Sequence, residues 1–354
     1  MTLKRADLIS KVKAQMDRRD FIIGAAALLV SKPSFAQDSP AIIRPVLDGV
    51  NPRFSELALD GPYPYPNAAT IFNGADARYF FFVPKYVTKA RLIVFSHGAL
   101  ADPTSYRKLL FHWASHGYIV AAPLHDDAIL ESGPTLRLVK AGAVSQWPVS
   151  SLLEDPIAWK NRVDRCVECV DIAKEIALTR GIELEADRII IAGHGYGAYI
   201  TQLLMGAEVN DAEGRRLTFR DDRFFAGMCM SPQGPGIMGL TETSWENVTS
   251  PMLYLLAKND DDFTGQDFDK KGESYRLAAP GYKHLVVFKD AGSTLFTQGL
   301  DTPPRGGLTP FLGVKAMTVC FSRAYGDYDP VSFSNLSDNF FERNSKNTLM
   351  EHRR

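Results

Sequence analysis

The stretch Arg188 to Leu204, RIIIAGHGYGAYITQLL, holds the residues best placed to do chemistry. A short apolar strand, Ile189 to Ala192, runs into Gly193-His194-Gly195-Tyr196-Gly197, and a helix-like segment from Ala198 to Leu204 follows at once. A strand that turns sharply into a helix serves two kinds of site. It can raise a nucleophile at the crest of the turn, beside backbone N–H groups that stabilise developing negative charge. It can also cradle a pyrophosphate on the helix N-terminus, and Gly193-x-Gly195-x-x-Ala198 fits that fingerprint. For the first use the crest should carry a nucleophilic side chain, and it carries Gly195. For the second, the turn should end the first strand of its domain and precede, by about 20 residues, an acid closing a second strand. Here at least three strands come first, and Glu208, Asp211 and Glu213 fall in GAEVNDAEGRR, which reads as a loop. Dinucleotide-binding oxidoreductase is therefore a second alternative.

Other reactive side chains are scattered. Cys166-Val-Glu-Cys169 lies about two turns inside a helix, whereas redox pairs sit at helix N-termini where the dipole lowers the thiol pKa. A zinc site would want a second ligand pair, and no second CxxC is present. Core packing is the expected role, with a disulfide involving Cys229 or Cys320 as the alternative in an oxidising compartment. Asp261 and Asp262, which adjoin Asp260, read as a solvated acidic turn ahead of a calcium cluster. No resident cofactor or metal is expected.

The elements that must position these residues alternate. Arg78–Val83, Arg91–Phe95, Tyr118–Ala122, Arg188–Ala192, Phe224–Cys229, Met252–Leu256 and His284–Phe288 read as strands. Helices are expected at Thr104–Ser115, Trp159–Arg180, after the glycine turn, and at Pro310–Tyr325. In the Trp159 helix, Val163, Cys166, Val170, Ala173 and Ile176 share one face. This alternation predicts an α/β fold with a mostly parallel central sheet covered by helices on both faces. The irregular stretch 123–157 contains Trp147-Pro148 and is a candidate cap over a site.

Two segments carry a resemblance. Phe95-Ser96-His97-Gly98-Ala99, then a helix ending Ala114-Ser115-His116-Gly117-Tyr118-Ile119-Val120-Ala121-Ala122-Pro123, resemble the α/β-hydrolase family. The likeness is to its dienelactone-hydrolase-like, chlorophyllase-like and platelet-activating-factor acetylhydrolase-like esterases, and it runs from about Arg78 to Tyr325. The resemblance implies that His97-Gly98 opens an oxyanion loop, with backbone donors at Ala99 and Tyr196. It places the nucleophile at Gly195. Pro251 to Asp260 (PMLYLLAKND) resembles the segment that carries the acid, which falls on Asp260. Val286 to Phe296 (VVFKDAGSTLF) resembles the segment that carries the histidine, and Ser293 takes its position.

Nucleophile and base positions therefore depart together, and acyl transfer needs both. After Asp260 only His284 and His352 remain, one at the start of a strand and one in the polar C-terminal stretch. His97 and His194 flank the oxyanion region, and His125 follows a strand end; these three and Trp147 are the pocket candidates. Glycine tolerates the positive φ that strains any other residue at such a turn. The expectation is a protein resembling carboxylic-ester hydrolases but without serine-esterase chemistry: a pseudoenzyme that binds a small ester, lipid or aromatic ligand, or a protein partner. The alternative is an active ester hydrolase with a non-standard nucleophile, or with a water held by Asp260 and His125.

Net charge is −1 over 354 residues, which argues against a nucleic-acid partner. Met16-Asp17-Arg18-Arg19-Asp20-Phe21-Ile22-Ile23 resembles a twin-arginine export motif. The apolar stretch Phe21–Val30 is too short to cross a bilayer, and Ser34 and Ala36 suit cleavage before Gln37. The domain expectation is a signal peptide at 1–36, an N-terminal wrap at 37–75, the α/β-hydrolase domain at 76–330 and a loose polar tail at 331–354. A periplasmic location and no transmembrane span after signal removal follow from it.

Overall fold

Among the described residues of the computed structural model, nine strands form one sheet, in the order β1-β2-β4-β3-β5-β8-β9-β10-β11. The structure describes residue 47 and residues 49–128, 153–260, 264–297, 309–338, 340–345 and 348–353. The signal segment at 1–36, Trp147, Asp261 and Asp262 lie outside the described residues.

The strands are β1 (Thr70–Asn73), β2 (Arg78–Phe82), β3 (Lys89–Ser96), β4 (Ile119–Pro123), β5 (Glu183–His194), β8 (Phe224–Met230), β9 (Met252–Asn259), β10 (Lys283–Gly292) and β11 (Thr348–Arg353). Between β5 and β8 the short strands β6 (Val209–Asn210) and β7 (Arg216–Leu217) form a separate antiparallel ribbon. From β4 through β3, β5, β8 and β9 to β10 every pairing is parallel, while β2 and β11 join antiparallel at the two sides.

Strands buried on both faces need near-continuous apolar runs, and IVAAP of β4 is wholly buried. Alternate residues serve opposite layers. Ile93, Phe95, Val120, Ala122, Ile190 and Ala192 join a core with Trp113, Phe321 and Phe54. Those three come from helices α2 (Arg107–Ser115), α6 (Pro310–Tyr325) and α1 (Pro52–Ala58). The intervening Leu92, Val94, Ile119, Ala121, Ile189 and Ile191 are equally buried. Helices α3 (Pro156–Thr179) and α4 (Tyr196–Leu204) pack against β3, β4 and β5. Helix α5 (Phe268–Leu277) packs against β9 and β10.

The alternation expected from sequence is the architecture found, with strand ends shifted by a few residues. Two segments differ from expectation. The first strand, β1, lies inside the stretch read as a wrap. The supposed loose tail holds α7 (Pro330–Ser337), α8 (Phe340–Asn344) and β11. TLMEHR lacks the alternation of polar and apolar residues that marks a half-buried strand, and its ladder bonds come from backbone that composition does not reveal. Arg353 fastens it by donating to the carbonyls of Tyr275, Arg276 and Ala278 at the end of α5. These are acceptors that a helix C-terminus leaves unsatisfied.

Candidate active site

Gly195 sits between β5 and α4 with φ +54° and ψ −117°. Its neighbours explain how so sharp a turn closes. A Cβ on Gly193 would lie 2.1 Å from the Gly197 carbonyl oxygen, and one on Gly197 would lie 1.9 Å from that of Ser96. Both positions must be glycine for helix and strands to approach. Gly195 differs: a Cβ there meets nothing within 4 Å. The turn is pinned from the next strand, because the Gly195 N–H donates to the Met230 carbonyl at 2.9 Å. That amide is thus committed and cannot turn to a phosphate.

The dinucleotide reading lacks its acid as well. After α4 the chain passes through the β6–β7 ribbon before it reaches β8, the parallel neighbour of β5. Glu208 pairs with Arg216, and Asp211 and Glu213 pair with Arg215. None of them closes a second strand of the main sheet.

The other two family positions arrive at strand ends beside one another. Asp260 directly follows β9, and Ser293 directly follows β10 and opens a 3-10 turn, Ser293–Phe296. Asn259 and Gly292 are paired in register, so the residues after them leave the sheet together. The turn returns to the elbow, where the Phe296 ring lies 5.3 Å from that of His194. Gly195, Asp260 and Ser293 are therefore gathered at the C-terminal edge of the parallel strands, where α/β sheets place their sites. His284 and His352 face each other at the opposite end of β10, with His284 Nε2 2.7 Å from the Tyr325 hydroxyl.

The segment after β3 that the resemblance reads as an oxyanion loop is held by a polar network. Gly98 N–H donates to the Tyr106 hydroxyl at 3.0 Å, and that oxygen reaches His194 Nδ1 at 2.8 Å. Leu100 N–H donates to Asp127 at 3.0 Å, and Arg162 donates twice to the same carboxylate at 2.7 Å and once to the His97 carbonyl at 2.8 Å. Burial alone would raise the Asp127 pKa, but the Arg162 charge and hydrogen bonds hold it below the usual range. His97 accepts the His125 N–H on Nε2 at 3.1 Å. Burial, then the Arg162 charge, takes its pKa down to about 4. Ser96 Oγ lies 2.9 Å from His125 Nε2, and burial pushes the His125 pKa well down. Both imidazoles are neutral at pH 7 and fully buried. His97 and His194 thus build the loop.

The acid position already has a cationic partner. Lys271, from α5, lies 3.2 Å from the Asp260 carboxylate, and Ser231 donates a short hydrogen bond to the same group. His125 and Asp260 follow β4 and β9, four strand spacings apart and so roughly 19 Å. A water held by both does not fit.

Beside the elbow, a cleft of about 190 Å³ is lined by Asp126, Asp155, Asn161, Arg165 and Tyr196 among others. The Tyr196 hydroxyl is buried without a hydrogen-bond partner among the described residues, and Arg162 stacks 4.1 Å over its ring. All four cysteines are free and buried. Burial raises the Cys166 pKa to about 12 and the Cys169 pKa well above its ordinary value, so the pair is neither disulfide nor reactive thiolate. Among the described residues no group of three or more His, Cys, Asp or Glu could hold a metal ion. No helix among them is long and apolar enough to cross a membrane.

Sequence reasoning missed Lys271, Ser231, Tyr106 and the Asp127–Arg162 pair. Arg162 had a signal: it lies four residues before Cys166, a charge set into the apolar stripe of its helix. Lys271, beside Lys270 in FDKKGESYRL, had none.

Residues 72–207 match the family model for chlorophyllase. The match runs from β1 through α4 and so includes the oxyanion loop and the glycine turn, and it ends before Asp260 and Ser293. No curated protein matches the chain. With this match and its sheet order, the chain has an α/β-hydrolase fold and resembles an esterase-like hydrolase family.

Proposed function

We propose that this protein keeps the scaffold and oxyanion loop of an esterase but lacks serine-esterase chemistry, and that it binds a small ester, lipid or aromatic ligand beside the elbow. The observation that carries this reading is Gly195, which holds the φ +54° turn with open space where a side chain would stand. Ala99 and Tyr196, after adjacent strands β3 and β5, remain as candidate backbone donors for a ligand carbonyl. Such donors alone sustain only trace catalysis, about 10³-fold over water.

The test is equilibrium binding of nitrophenyl esters and their acids to the mature protein, with product release followed in the same cell. Saturable binding without turnover is expected. Turnover well above the buffer rate would overturn the reading.

A second reading retains an active hydrolase built on a non-standard nucleophile, and the Ser96–His125 contact is the observation in its favour. Both side chains have no exposed surface, which leaves a substrate carbonyl no approach. Turnover abolished by Ser96→Ala in a protein of unchanged stability would establish it.

We also infer export by the twin-arginine route, from Arg18-Arg19 and the short apolar run behind them. Cell fractionation should find the protein in the periplasm, and Arg18→Lys with Arg19→Lys should retain it in the cytoplasm.

A further inference from the structure

We propose that Lys271 is an internal counter-ion that takes the place of the missing histidine at Asp260, so that the acid of the site is already neutralised and reversion of Gly195 and Ser293 alone leaves it idle. The inference deepens the non-catalytic reading above and rests on Asp260 occupying the acid position.

The geometry is specific. Lys271 Nζ lies 3.2 Å from Asp260 Oδ2, 3.1 Å from the Asp260 carbonyl oxygen and 3.4 Å from Ser231 Oγ. An ammonium carries three N–H donors, and three acceptors surround this one. The Lys271 side chain has no exposed surface and that of Asp260 has 1%, so solvent does little to screen the pair. Ser231 completes the arrangement at some cost to itself: its φ of +53° lies in the left-handed region that serine seldom adopts. Its neighbour Met230 is the residue whose carbonyl accepts the Gly195 amide. The cluster is therefore continuous with the elbow.

A triad carboxylate works by orienting an imidazole and stabilising the imidazolium formed when the nucleophile gives up its proton. That needs a negative charge facing the ring. Here the carboxylate is held by an ammonium at Oδ2, and an imidazolium formed nearby would meet a like charge. An ester hydrolase would gain nothing from such a partner. A protein that has given up its histidine does gain, because an unpaired buried carboxylate is strongly destabilising.

The experiment compares Gly195→Ser/Ser293→His with the same protein carrying Lys271→Met. Hydrolysis of nitrophenyl butyrate should be near background in the first and at least tenfold faster in the second. Equal rates, or a faster first variant, would overturn the proposal. Because Lys271→Met also takes an ammonium away from a buried carboxylate, thermal melts accompany the assay. Lys271→Met alone should lower Tm by about 10 °C, and adding Ser293→His should recover at least half of the loss. If neither variant turns over, that recovery supports the proposal and its absence overturns it. Turnover by the native protein is a separate result. It would end the non-catalytic reading, while the melts would still report on Lys271.

Discussion

Tyr106 binds the oxyanion loop to the elbow: its hydroxyl accepts the Gly98 amide at 3.0 Å and lies 2.8 Å from His194 Nδ1. The two segments proposed to polarise a ligand carbonyl are thus joined through one hydroxyl. Tyr106→Phe removes both hydrogen bonds and leaves a buried amide unsatisfied. It should cost about 1–3 kcal/mol in urea denaturation and weaken ester binding by more than its effect on the global fold. Unchanged stability and binding would show that the loop is held by other contacts.

The three glycines of the turn should respond unequally. Gly193→Ala and Gly197→Ala place a Cβ about 2 Å from backbone carbonyl oxygens and should leave little soluble protein. Gly195→Ala meets no atom and pays only for a side chain at positive φ, about 1–2 kcal/mol. Expression and thermal melts of the three variants check the order, and equal loss in all three would contradict it.

Arg162 holds the Asp127 carboxylate and the His97 carbonyl together. Arg162→Met strands a buried charge and should destabilise by about 3–5 kcal/mol. Adding Asp127→Asn should recover part of that loss. A double-mutant cycle by chemical denaturation measures the coupling, and additive effects would mean the pair is not a unit.

The legible part of the site was the part written in strands and glycines. The run Ile189–Ala192, the glycine spacing after it and the apolar strand Met252–Leu256 were readable as strands and a turn, and the resemblance to α/β-hydrolases pointed from them to Gly195, Asp260 and Ser293. The counter-ions could not. Lys271 comes from a helix following a different strand, and nothing in FDKKGESYRL distinguishes it from the solvated Lys270. Ser96 and His125 likewise meet only because β3 and β4 are neighbours. The edge strand β11 was missed because its order comes from backbone pairing and from Arg353.

Acid sensitivity should follow from the buried imidazoles. Burial lowers the pKa of His97 and His112 to about 4 and that of His284 to about 3. The unfolded chain takes up these protons near pH 6.5, whereas the folded chain does not until the lower values are reached. The stability that neutral burial leaves intact at pH 7 is therefore lost between about pH 6.5 and 4. Urea midpoints across that range should fall steadily and lose less on His284→Phe. A flat profile would contradict the neutral, buried state of these rings.

The central claim is that no serine in this protein is an activated nucleophile. Incubating the mature protein with a serine-directed fluorophosphonate and reading the intact mass tests it without assuming a substrate. We expect no adduct on the native protein, and one adduct when Gly195→Ser, Ser293→His and Lys271→Met are combined. An adduct on the native protein, mapped to any serine, would show that a catalytic centre exists and that the site has been misassigned.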